Sequence, residues 1–483
     1  MKWNPFKKKK PAKRSYAAAS TGRLFYSWLH PGTSSNAEIQ PALATIRNHS
    51  RELCRNNDYA KKYLSMCKTN IIGPSGIILQ AKVKNDTGES QDGKANQLIE
   101  DQWKEWGLRG NCSVDGTLSW LDIQKIFVES IARDGEILIR LVKGWNNRWN
   151  FAIQLLEADY LDETYDNPGK KIKMGIEVDS WNRPQSYYLL KFHPGDRNTA
   201  YQGDRYQAFP WSEIIHAYIP ERPGQLRGVP HMHASMKRLH HVGEYEEAEL
   251  VAARVGAAKM GFYKRPADVV ATISGDGKDN DGNLLKSAEP GTMEELPPGV
   301  DFVPWSPDHP TDGFPAFIKA TLRGISAGLN VSYNSLAGDL ESVNYSSYRA
   351  GSLEERDNWR LLQSWVIQTL CTPVYREWLY WSMVSKAVPL PVNKFDKFLN
   401  VVWRPRGWDW VDPEKDIEAT RKEIMAGLKT RSQVAAEKGL ELEDIYQQLA
   451  EEEKLAKKYG LDLKLEKDTS QNENKNGSSN QTV

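Results

Sequence analysis

The stretch Val229-Pro-His-Met-His-Ala-Ser-Met-Lys-Arg-Leu239 begins a helical pattern that continues to about residue 257. A non-helical acidic segment, residues 262–312, follows it, and a second helical pattern, residues 314–330, comes next. A polar loop, residues 332–347, then leads into a third long helix that ends near residue 383. Two long helices that leave a body, carry an insert at their far end and return are expected to form a stalk, not a catalytic core.

The side chains of the first helical pattern indicate how such a stalk would pack. Pro230 suits a helix start, where its missing N–H breaks no helical hydrogen bond. Small residues would allow a neighbouring helix to approach closely, and they are Ala248, Ala252, Ala253 and Ala257. Charged residues are expected on one polar side, and they are Glu244, Glu246, Glu247, Glu249 and Arg254. We therefore expect the helix to pack against copies of itself in a ring.

The first 220 residues alternate between helical and strand patterns, which predicts an α+β body. The helical patterns cover residues 41–55, 58–69, 95–106 and 120–133. The strand patterns, separated by turn residues, cover residues 77–82, 136–142, 151–156, 175–178, 186–192 and 214–219. Further helices are predicted at residues 412–425, 430–438 and 443–459. The fold class is thus α+β, and the part that follows the body is mostly helical.

Charge and cysteine usage limit the classes of function. The 483 residues include 64 Lys and Arg and 63 Asp and Glu, so overall charge predicts no tight non-specific DNA binding. The charge is uneven, because a basic tip precedes residue 15 and the insert at residues 266–312 holds ten acidic residues and two lysines. The four cysteines lie far apart, which predicts neither a zinc site nor a disulfide framework. We expect a soluble intracellular protein without a membrane span, a metal or a cofactor.

Gly88-Glu-Ser-Gln-Asp-Gly-Lys-Ala95 follows a strand and precedes a helix, as a phosphate-binding loop does. However, Ala95 stands where a Ser or Thr must hold magnesium, and two acidic residues would face the phosphates. An NTPase that uses Lys94 is therefore disfavoured, and an ordinary turn is predicted.

Three other patterns point to chemistry that their context disfavours. Gly324-Ile-Ser-Ala-Gly328 matches the nucleophile elbow of hydrolases, but it lies inside a helical pattern with no strand before it. The acidic run at residues 276–282 would place Ala288 where a calcium loop needs a bidentate Glu. Four histidines lack the i,i+4 spacing of a helical metal pair, and they are His231, His233, His240 and His241. We predict close helix packing, an exposed acidic turn and interfacial or solvent-facing histidines.

Several segments together resemble the portal proteins of tailed bacteriophages, specifically the lambda-type portal family. The resemblance covers about residues 40–455 and depends on the order and spacing of its motifs. These are Arg55-Asn-Asn-Asp-Tyr-Ala60 with Asn70-Ile-Ile-Gly73, Gln225-Leu-Arg-Gly-Val-Pro230, Ile325-Ser-Ala-Gly-Leu-Asn-Val-Ser-Tyr-Asn-Ser-Leu336, Asn344-Tyr-Ser-Ser-Tyr-Arg-Ala350, Trp408-Asp-Trp-Val-Asp-Pro-Glu-Lys415, Gly427-Leu and Ala450-Glu-Glu.

The resemblance implies a portal fold that is assembled as a ring, with an α+β wing, a helical stem, a small α/β clip and a helical crown. By analogy, the chain divides into seven parts. They are a mobile arm (1–37), the wing (38–228 and 348–411), the stem (229–261 and 313–331), the clip (262–312), the tunnel loop (332–347), the crown (412–462) and a disordered tail (463–483). The implied DNA-facing residues of the tunnel loop are Ser332, Asn334, Ser335, Ser342, Asn344, Tyr345, Ser346 and Ser347. The implied partner-docking residues of the clip are Asp276, Asp279, Asp281, Glu289, Glu294 and Glu295. The implied stem residues are Lys237, Arg238, Glu244 and Arg254.

The resemblance also implies a function without catalysis. A homo-oligomer, by analogy a dodecamer, would surround double-stranded DNA at one capsid vertex and serve packaging, retention and ejection of the genome. Its implied partners are the terminase large subunit, the major capsid protein, a scaffold and head-completion or adaptor proteins. The expected locations are the virion and, during assembly, the host cytoplasm. The alternative is a scaffold or DNA-binding assembly protein without a channel.

Overall fold

The computed structural model describes residues 32–461 apart from 89, 197–203, 259–260, 265–276, 279–283, 286–300, 305–312, 342–343, 409–412, 439 and 441. Its α-helices are α1 Ser35–Ile39, α2 Leu43–Asn56, α3 Asp58–Cys67, α4 Gly93–Trp106, α5 Trp120–Asp134, α6 His233–Ala258, α7 Phe314–Leu329, α8 Tyr333–Ala337, α9 Tyr345–Val366, α10 Thr372–Val384, α11 Phe395–Phe398, α12 Pro413–Met425, α13 Arg431–Glu437 and α14 Leu442–Lys458. A π-helical turn, Ile367–Cys371, joins α9 to α10. The expected α+β body and mostly helical second half are confirmed for these residues.

The described strands form antiparallel sheets. The first sheet has the order β3-β2-β8, and the second has the order β4-β5-β6-β7. Their strands are β2 Glu136–Lys143, β3 Phe151–Leu156, β4 Ile172–Lys173, β5 Ile176–Val178, β6 Pro184–Leu190, β7 Tyr206–Pro210 and β8 Ile214–Tyr218. A further pair joins β1 Ile78–Ala81 to β13 Val401–Arg404, so the end of the long helical segment returns to the start of the body.

The described residues of the insert add only short strands to the stalk. They are β9 Gly261–Lys264, which pairs with β12 Asp301–Pro304, and β10 Gly277–Lys278, which pairs with β11 Leu284–Leu285. The pair β9–β12 closes the base of the insert, directly after α6. This agrees with the expected non-helical insert for the described part.

A cluster of aromatic side chains fills the centre of the body. Trp103 of α4 has ring centroids 4.9 Å from Trp106, 5.4 Å from Trp120 and 5.0 Å from Trp378. Trp106 and Trp378 are fully buried. Because Trp378 belongs to α10, this cluster fixes the end of the long helical segment against α4 and α5. The aromatic cluster thus places α10 within the core of the body.

Local signals explain where α5 begins and ends. Ser119 accepts a hydrogen bond from the N–H of Asp122, and the Asp122 carboxylate accepts one from the N–H of Ser119, which forms a capping box. Gly135 ends the helix with φ +84°, a left-handed conformation that favours glycine. Strand β2 starts at the next residue, so this glycine turns the chain from α5 directly into the sheet.

The structure corrects several element predictions. Strand β7 was missed, because its residues alternate poorly between buried and exposed positions. Helix α6 begins at His233, not near Pro230, whose carbonyl instead accepts a hydrogen bond from the N–H of His233. The polar segment 332–347 is not a single loop, since it contains α8 and the first turn of α9.

Candidate functional site

Helices α6 and α7 run antiparallel and contact each other at small residues. The Ser235 hydroxyl donates a hydrogen bond to the Ile325 carbonyl at 3.2 Å. A Cβ atom on Gly328 would lie 2.3 Å from Ser235 Oγ, and one on Gly324 would lie 2.5 Å from a guanidinium nitrogen of Arg238. Both neighbours are side-chain atoms that a rotation could move, so these glycines favour the close approach of the helices without being strictly required. The predicted close packing around residues 324–328 is confirmed.

Ser326 lies within helix α7, as predicted, and not on a strand-to-helix turn. Its side chain is buried, and its hydroxyl donates a hydrogen bond to the Leu322 carbonyl of the same helix at 2.7 Å. A nucleophile elbow needs an exposed hydroxyl at a strained turn. Ser326 thus has a packing role in this structure.

The stalk joins the body at a buried cluster of charged side chains around Glu136. The Glu136 carboxylate accepts hydrogen bonds from Arg47 at 2.7 Å, from Arg227 at 2.6 Å and from His216 Nε2 at 3.0 Å. The backbone N–H of Gly228 donates another at 2.8 Å. The four partners come from three segments: α2, strand β8 and, for Arg227 and Gly228, the chain just before α6. The carboxylate therefore connects the start of the stalk to the body.

Burial and charge act in opposite directions on Glu136. Burial favours the neutral acid, but the charge of Arg227, the hydrogen bond from His216 and the charge of Arg47 outweigh it. Together they hold the pKa of Glu136 well below its usual value. Burial lowers the pKa of His216, so its ring remains neutral while Nε2 donates to the carboxylate. The cluster thus contains an ionised Glu136 with two arginines.

Two glycines bring the backbone of the body and of the stalk entrance into direct contact. A Cβ atom on Gly228 would lie 2.1 Å from the Gly135 carbonyl oxygen. A Cβ atom on Gly135 would lie 2.2 Å from the Val229 carbonyl carbon. Real Cβ atoms do not approach backbone atoms so closely, so both positions require glycine. Residues 228 and 229 are therefore held against the body shortly before α6 begins at His233.

A second contact holds the side of α6 against the junction of α2 and α3. The Asn57 side chain donates a hydrogen bond to the Leu239 carbonyl at 3.2 Å and accepts one from the N–H of Ala60, which caps α3. The Tyr59 hydroxyl donates to Glu246 at 3.0 Å. The motif at residues 55–60 therefore holds α6 against the body through hydrogen bonds.

The side chains of the polar segment at residues 332–347 are partly used for internal contacts. Ser332 caps α8 by accepting a hydrogen bond from the N–H of Ser335. The Ser335 hydroxyl and the N–H of Ser332 both donate to Glu355 of α9, at 2.9 and 3.2 Å. Glu355 also accepts a hydrogen bond from the indole of Trp359. Ser332 and Ser335 are therefore less available to a ligand than the sequence suggested.

Tyr333 and Asp339 tie the same segment to α7. The Tyr333 hydroxyl donates to Asp339 at 2.7 Å, and Lys319 lies 3.0 Å from the same carboxylate. These two contacts, with the Tyr333 hydrogen bond as the larger, lower the pKa of Asp339 to about 2. Between Asp339 and α9, Leu340 is 66% exposed. Among the described residues between Asp339 and α9, Leu340, Glu341 and Asn344 are exposed.

The remaining predicted residues of the segment lie in different environments. Asn334 is half-buried in α8, and Asn344 is exposed directly before α9. Tyr345, Ser346 and Ser347 form the first turn of α9. Ser342 lies outside the described residues. The structure therefore does not bring the eight predicted residues together on one loop.

The predicted stem residues are exposed along α6. Lys237, Arg238, Glu244 and Arg254 all have solvent-accessible side chains. The single polar side expected for this helix is wrong, because Glu249 is buried and Glu246 is held by Tyr59. Successive residues of a helix are separated by about 100°, so neighbouring glutamates spread around it.

The predicted clip residues lie outside the described part of the chain. They are Asp276, Asp279, Asp281, Glu289, Glu294 and Glu295. Residues 1–31 of the expected arm and the tail at residues 462–483 also lie outside it, whereas residues 35–37 of that arm belong to helix α1. Their assignment stays a prediction.

The turn predicted at residues 88–95 is present among the residues described there. Lys84 and Gln91 form an antiparallel bridge across it, and Asp92 caps α4 by accepting a hydrogen bond from the N–H of Ala95. Lys94 is exposed. No described helix has both the length and the apolar character that crossing a bilayer requires.

One acidic group with a histidine lies close enough to be considered for a metal ion. Glu157, Asp159 and His193 each offer a ligand atom within 4.8 Å of the others. Arg51 already lies 3.6 Å from Glu157 and also pairs with Asp159. A guanidinium thus occupies the position where a cation would be held, so we assign no metal there.

Sequence reasoning missed the Glu136 cluster. Arg47, Glu136 and Arg227 are each 1% exposed or less, although long charged side chains are seldom buried unless they are paired. A weak signal was present, because Glu136 opens a strand whose next residues are Ile, Leu and Ile. Its partners lie about 90 residues away on either side, and no local pattern connects them.

Comparisons with known proteins agree with one another. The family model described as phage portal protein, lambda family, matches residues 21–363. The chain is 36% identical over 464 residues to the probable portal protein of Halomonas phage phiHAP-1, covering 95% of this chain and 89% of that protein. It is 21% identical over 485 residues to portal protein B of Escherichia phage lambda, covering 89% and 87%. A chain from the neck of an empty GTA particle, computed with C6 symmetry, is 15% identical with a TM-score of 0.42 and covers 87% of this chain and 99% of that one.

Proposed function

Because the chain belongs to the lambda family of phage portal proteins, we propose that its copies assemble into a ring around double-stranded DNA. The ring, by analogy a dodecamer, forms the channel at one capsid vertex through which the genome is packaged, retained and ejected. Portal proteins are structural, so the proposal includes no catalytic step. We therefore favour a portal over the alternative, which is a scaffold or DNA-binding assembly protein without a channel.

The exposed apolar side chains of α6 support the proposed ring assembly. The base of α6 is well packed, since Met236, Leu239 and Val242 are buried against the body and α7. Farther along the same helix, Leu250 is 68% exposed and Val251 is 49% exposed. A lone chain would leave this apolar surface in water, at a cost proportional to its area. We propose that the neighbouring subunits of a ring cover it.

Phe317 of α7 is a further apolar side chain that a lone chain would leave in water, since it is 54% exposed. Its ring lies 5.2 Å from that of Tyr245 on α6, so one neighbour would contact both helices at once. Such a contact joins two different surfaces and closes into a ring when the rotation between subunits divides the circle evenly. The small residues Ala248, Ala252 and Ala253 lie on the same half of α6.

Each segment of the chain can be assigned to one part of the proposed ring. We propose that the body forms the wing, that α6 and α7 form the stem, and that residues 262–312 form the clip. Helices α12 to α14 would form the crown, and residues 332–347 would lie at the bore. The exposed Gly338, with φ +67°, and Leu340 would then be nearest to DNA, together with Asn344.

The proposed partners follow from the position at the vertex. The acidic clip would face the terminase large subunit during packaging and the head-completion or adaptor proteins afterwards, since its charge suits basic surfaces. The wing would contact the major capsid protein and, during assembly in the host cytoplasm, the scaffold. The nearly neutral chain suits a conduit, because every phosphate contact adds affinity that would slow the movement of DNA.

The mass of the purified protein tests the ring directly. Light scattering should give about twelve times the mass of one 54.9 kDa chain, and electron microscopy of the same peak should show a central hole. A companion sample should be co-expressed with the major capsid protein and scaffold, because some rings assemble only with help. A protein that stays monomeric in both samples would contradict the proposal.

A further inference from the structure

A cleft separates α9 from the C-terminal helices α12 and α13. It has an open volume of about 230 Å³ and is lined mainly by polar atoms. Trp408, which lies at the start of the connection to α12, forms part of its wall. None of the residues predicted from the sequence to face DNA or a partner lies in this cleft.

Three arginines form one wall of the cleft. Arg349, Arg356 and Arg360 are seven and four residues apart on α9, so they lie on one face of the helix over a length of about 16 Å. The guanidinium groups of Arg356 and Arg360 lie 5.9 and 5.7 Å from the centre of the Trp408 ring. The ring orients both groups beside the opening through cation–π contacts.

The acidic residues of the cleft lie mostly on the opposite wall. Glu423 and Glu437 flank Lys429 there, at 3.6 and 2.7 Å. Arg360 pairs with Asp357 of its own helix, but both side chains are more than half exposed, and such pairs exchange readily for another anion. Among the described lining residues, five are basic and three are acidic, so the described lining has a net positive charge.

We propose that this cleft binds the backbone phosphates of double-stranded DNA through Arg349, Arg356 and Arg360. The proposal rests on the proposed function, which brings DNA to this protein. Guanidinium groups match phosphate oxygens with two parallel hydrogen bonds, which favours arginine over lysine at such a site. Phosphates of one strand advance about 3.4 Å each along the duplex, so a row of about 16 Å can follow several of them.

In the cleft, the Asp416 carboxylate already binds Arg349 and would compete with DNA for this arginine. Arg349 pairs with Asp416 of α12 at 2.6 Å, and both side chains are less than a third exposed. DNA must therefore compete with Asp416 for this arginine. This predicts that binding is weaker than three free arginines would give, which suits a protein that must not trap the genome.

The test measures the binding of a fluorescent 30-base-pair duplex to the purified full-length protein by anisotropy over a range of salt concentrations. The double variant Arg356→Gln/Arg360→Gln should bind more weakly and should lower the slope of log affinity against log salt by about 1.8 per bound cleft. The matched control is Arg109→Gln/Arg183→Gln, which removes two exposed arginines that pair with Asp122 and Asp179 elsewhere. The control should keep the wild-type slope.

A second variant tests the sign of the effect. Asp416→Asn removes the competing carboxylate and should tighten DNA binding, an effect that a merely unfolded protein would not produce. The proposal is overturned if the wild-type protein does not bind the duplex, if Arg356→Gln/Arg360→Gln keeps the wild-type slope, or if Asp416→Asn fails to bind more tightly. It is also overturned if a poly-glutamate peptide binds the wild type more tightly than the duplex does at equal charge concentration and loses that binding in the double variant, because the cleft would then be a protein-docking site.

Electron microscopy of the same samples separates this test from that of the proposed function. Rings that form normally, with DNA binding unaffected by the cleft substitutions, would overturn the cleft proposal alone. An absence of rings in every sample would count against the proposed function.

Discussion

Replacing Glu136 by glutamine tests whether the buried charge cluster holds the stalk entrance to the body. Glutamine keeps the shape of the side chain but removes the negative charge that Arg47 and Arg227 share at 2.7 and 2.6 Å. It also places an NH₂ group, which can only donate, beside guanidinium groups that can only donate. Arg227 then remains buried without its counter-charge, and Arg47 keeps only the more distant carboxylate of Asp159, at 3.7 Å.

The size of the effect follows from burial. The side chains of Glu136, Arg47 and Arg227 are at most 1% exposed, so solvent cannot replace the lost partner. Breaking a buried pair by removing one partner typically costs about 3–5 kcal/mol. Since whole domains are stable by about 5–15 kcal/mol, Glu136→Gln should remove a large fraction of the stability.

The assay is urea unfolding at pH 7.5, followed by the fluorescence of the buried tryptophans. The matched control is Glu105→Gln, which breaks a pair with Arg148 at 2.9 Å whose side chains are 45% and 53% exposed. Exposed pairs contribute about 0–1 kcal/mol, so the control should unfold almost as the wild type does. If both variants lost the same stability, or if Glu136→Gln unfolded like the wild type, the assigned role of the cluster would be wrong.

Two further perturbations act on the same region. Gly228→Ala should lower the free energy of unfolding in urea by at least about 3 kcal/mol, because its Cβ atom would lie 2.1 Å from the Gly135 carbonyl oxygen and neither backbone can move freely. The steric control is Gly224→Ala, whose Cβ atom would lie in open space. The φ of +78° at Gly224 adds some backbone strain to this control. Burial, and secondarily the charge of His233, lowers the pKa of His231 to about 4, below its unfolded value near 6.5. The unfolded chain therefore binds the proton first, so this contribution is complete above pH 6.5 and is lost as the pH falls toward 4, by about 2 kcal/mol at pH 4.5; a His231→Asn variant that showed the same loss between pH 7.5 and 4.5 would refute the assignment.

Local patterns predicted those elements whose boundaries depend on local chemistry. Helix α5 follows its cap at Ser119, and α7 and α12 begin within a residue of their predicted starts. The start of α6 was predicted wrongly because Pro230 carries the correct local signal for a helix start. The helix begins only at His233, after the close contact of Gly228 with Gly135, and that contact joins segments about 90 residues apart.

The candidate site was predictable in outline only. The order of long helix, insert, helix and polar segment is visible in the sequence, and it supports a stalk. The contacts that hold this stalk are not visible, since Asn57 and Leu239 are distant in sequence and meet only after folding. Likewise, the serines that appeared free in the polar segment are bound by Glu355, which lies beyond it in α9.

The contacts that fix the orientation of α6 at the base of the stalk are polar, and the direction of hydrogen bonds explains this. Apolar contacts stabilise α6 near Met236 and Val242, but the hydrophobic effect is not directional and would permit the helix to rotate or slide. Hydrogen bonds from Asn57 to the Leu239 carbonyl and from Gly228 to Glu136 fix both the rotation and the height of the helix. In a ring, any error in the angle of one stem would be repeated in every subunit and would prevent closure. A stem held by directional, buried contacts thus fits a protein whose copies must all present the same angle.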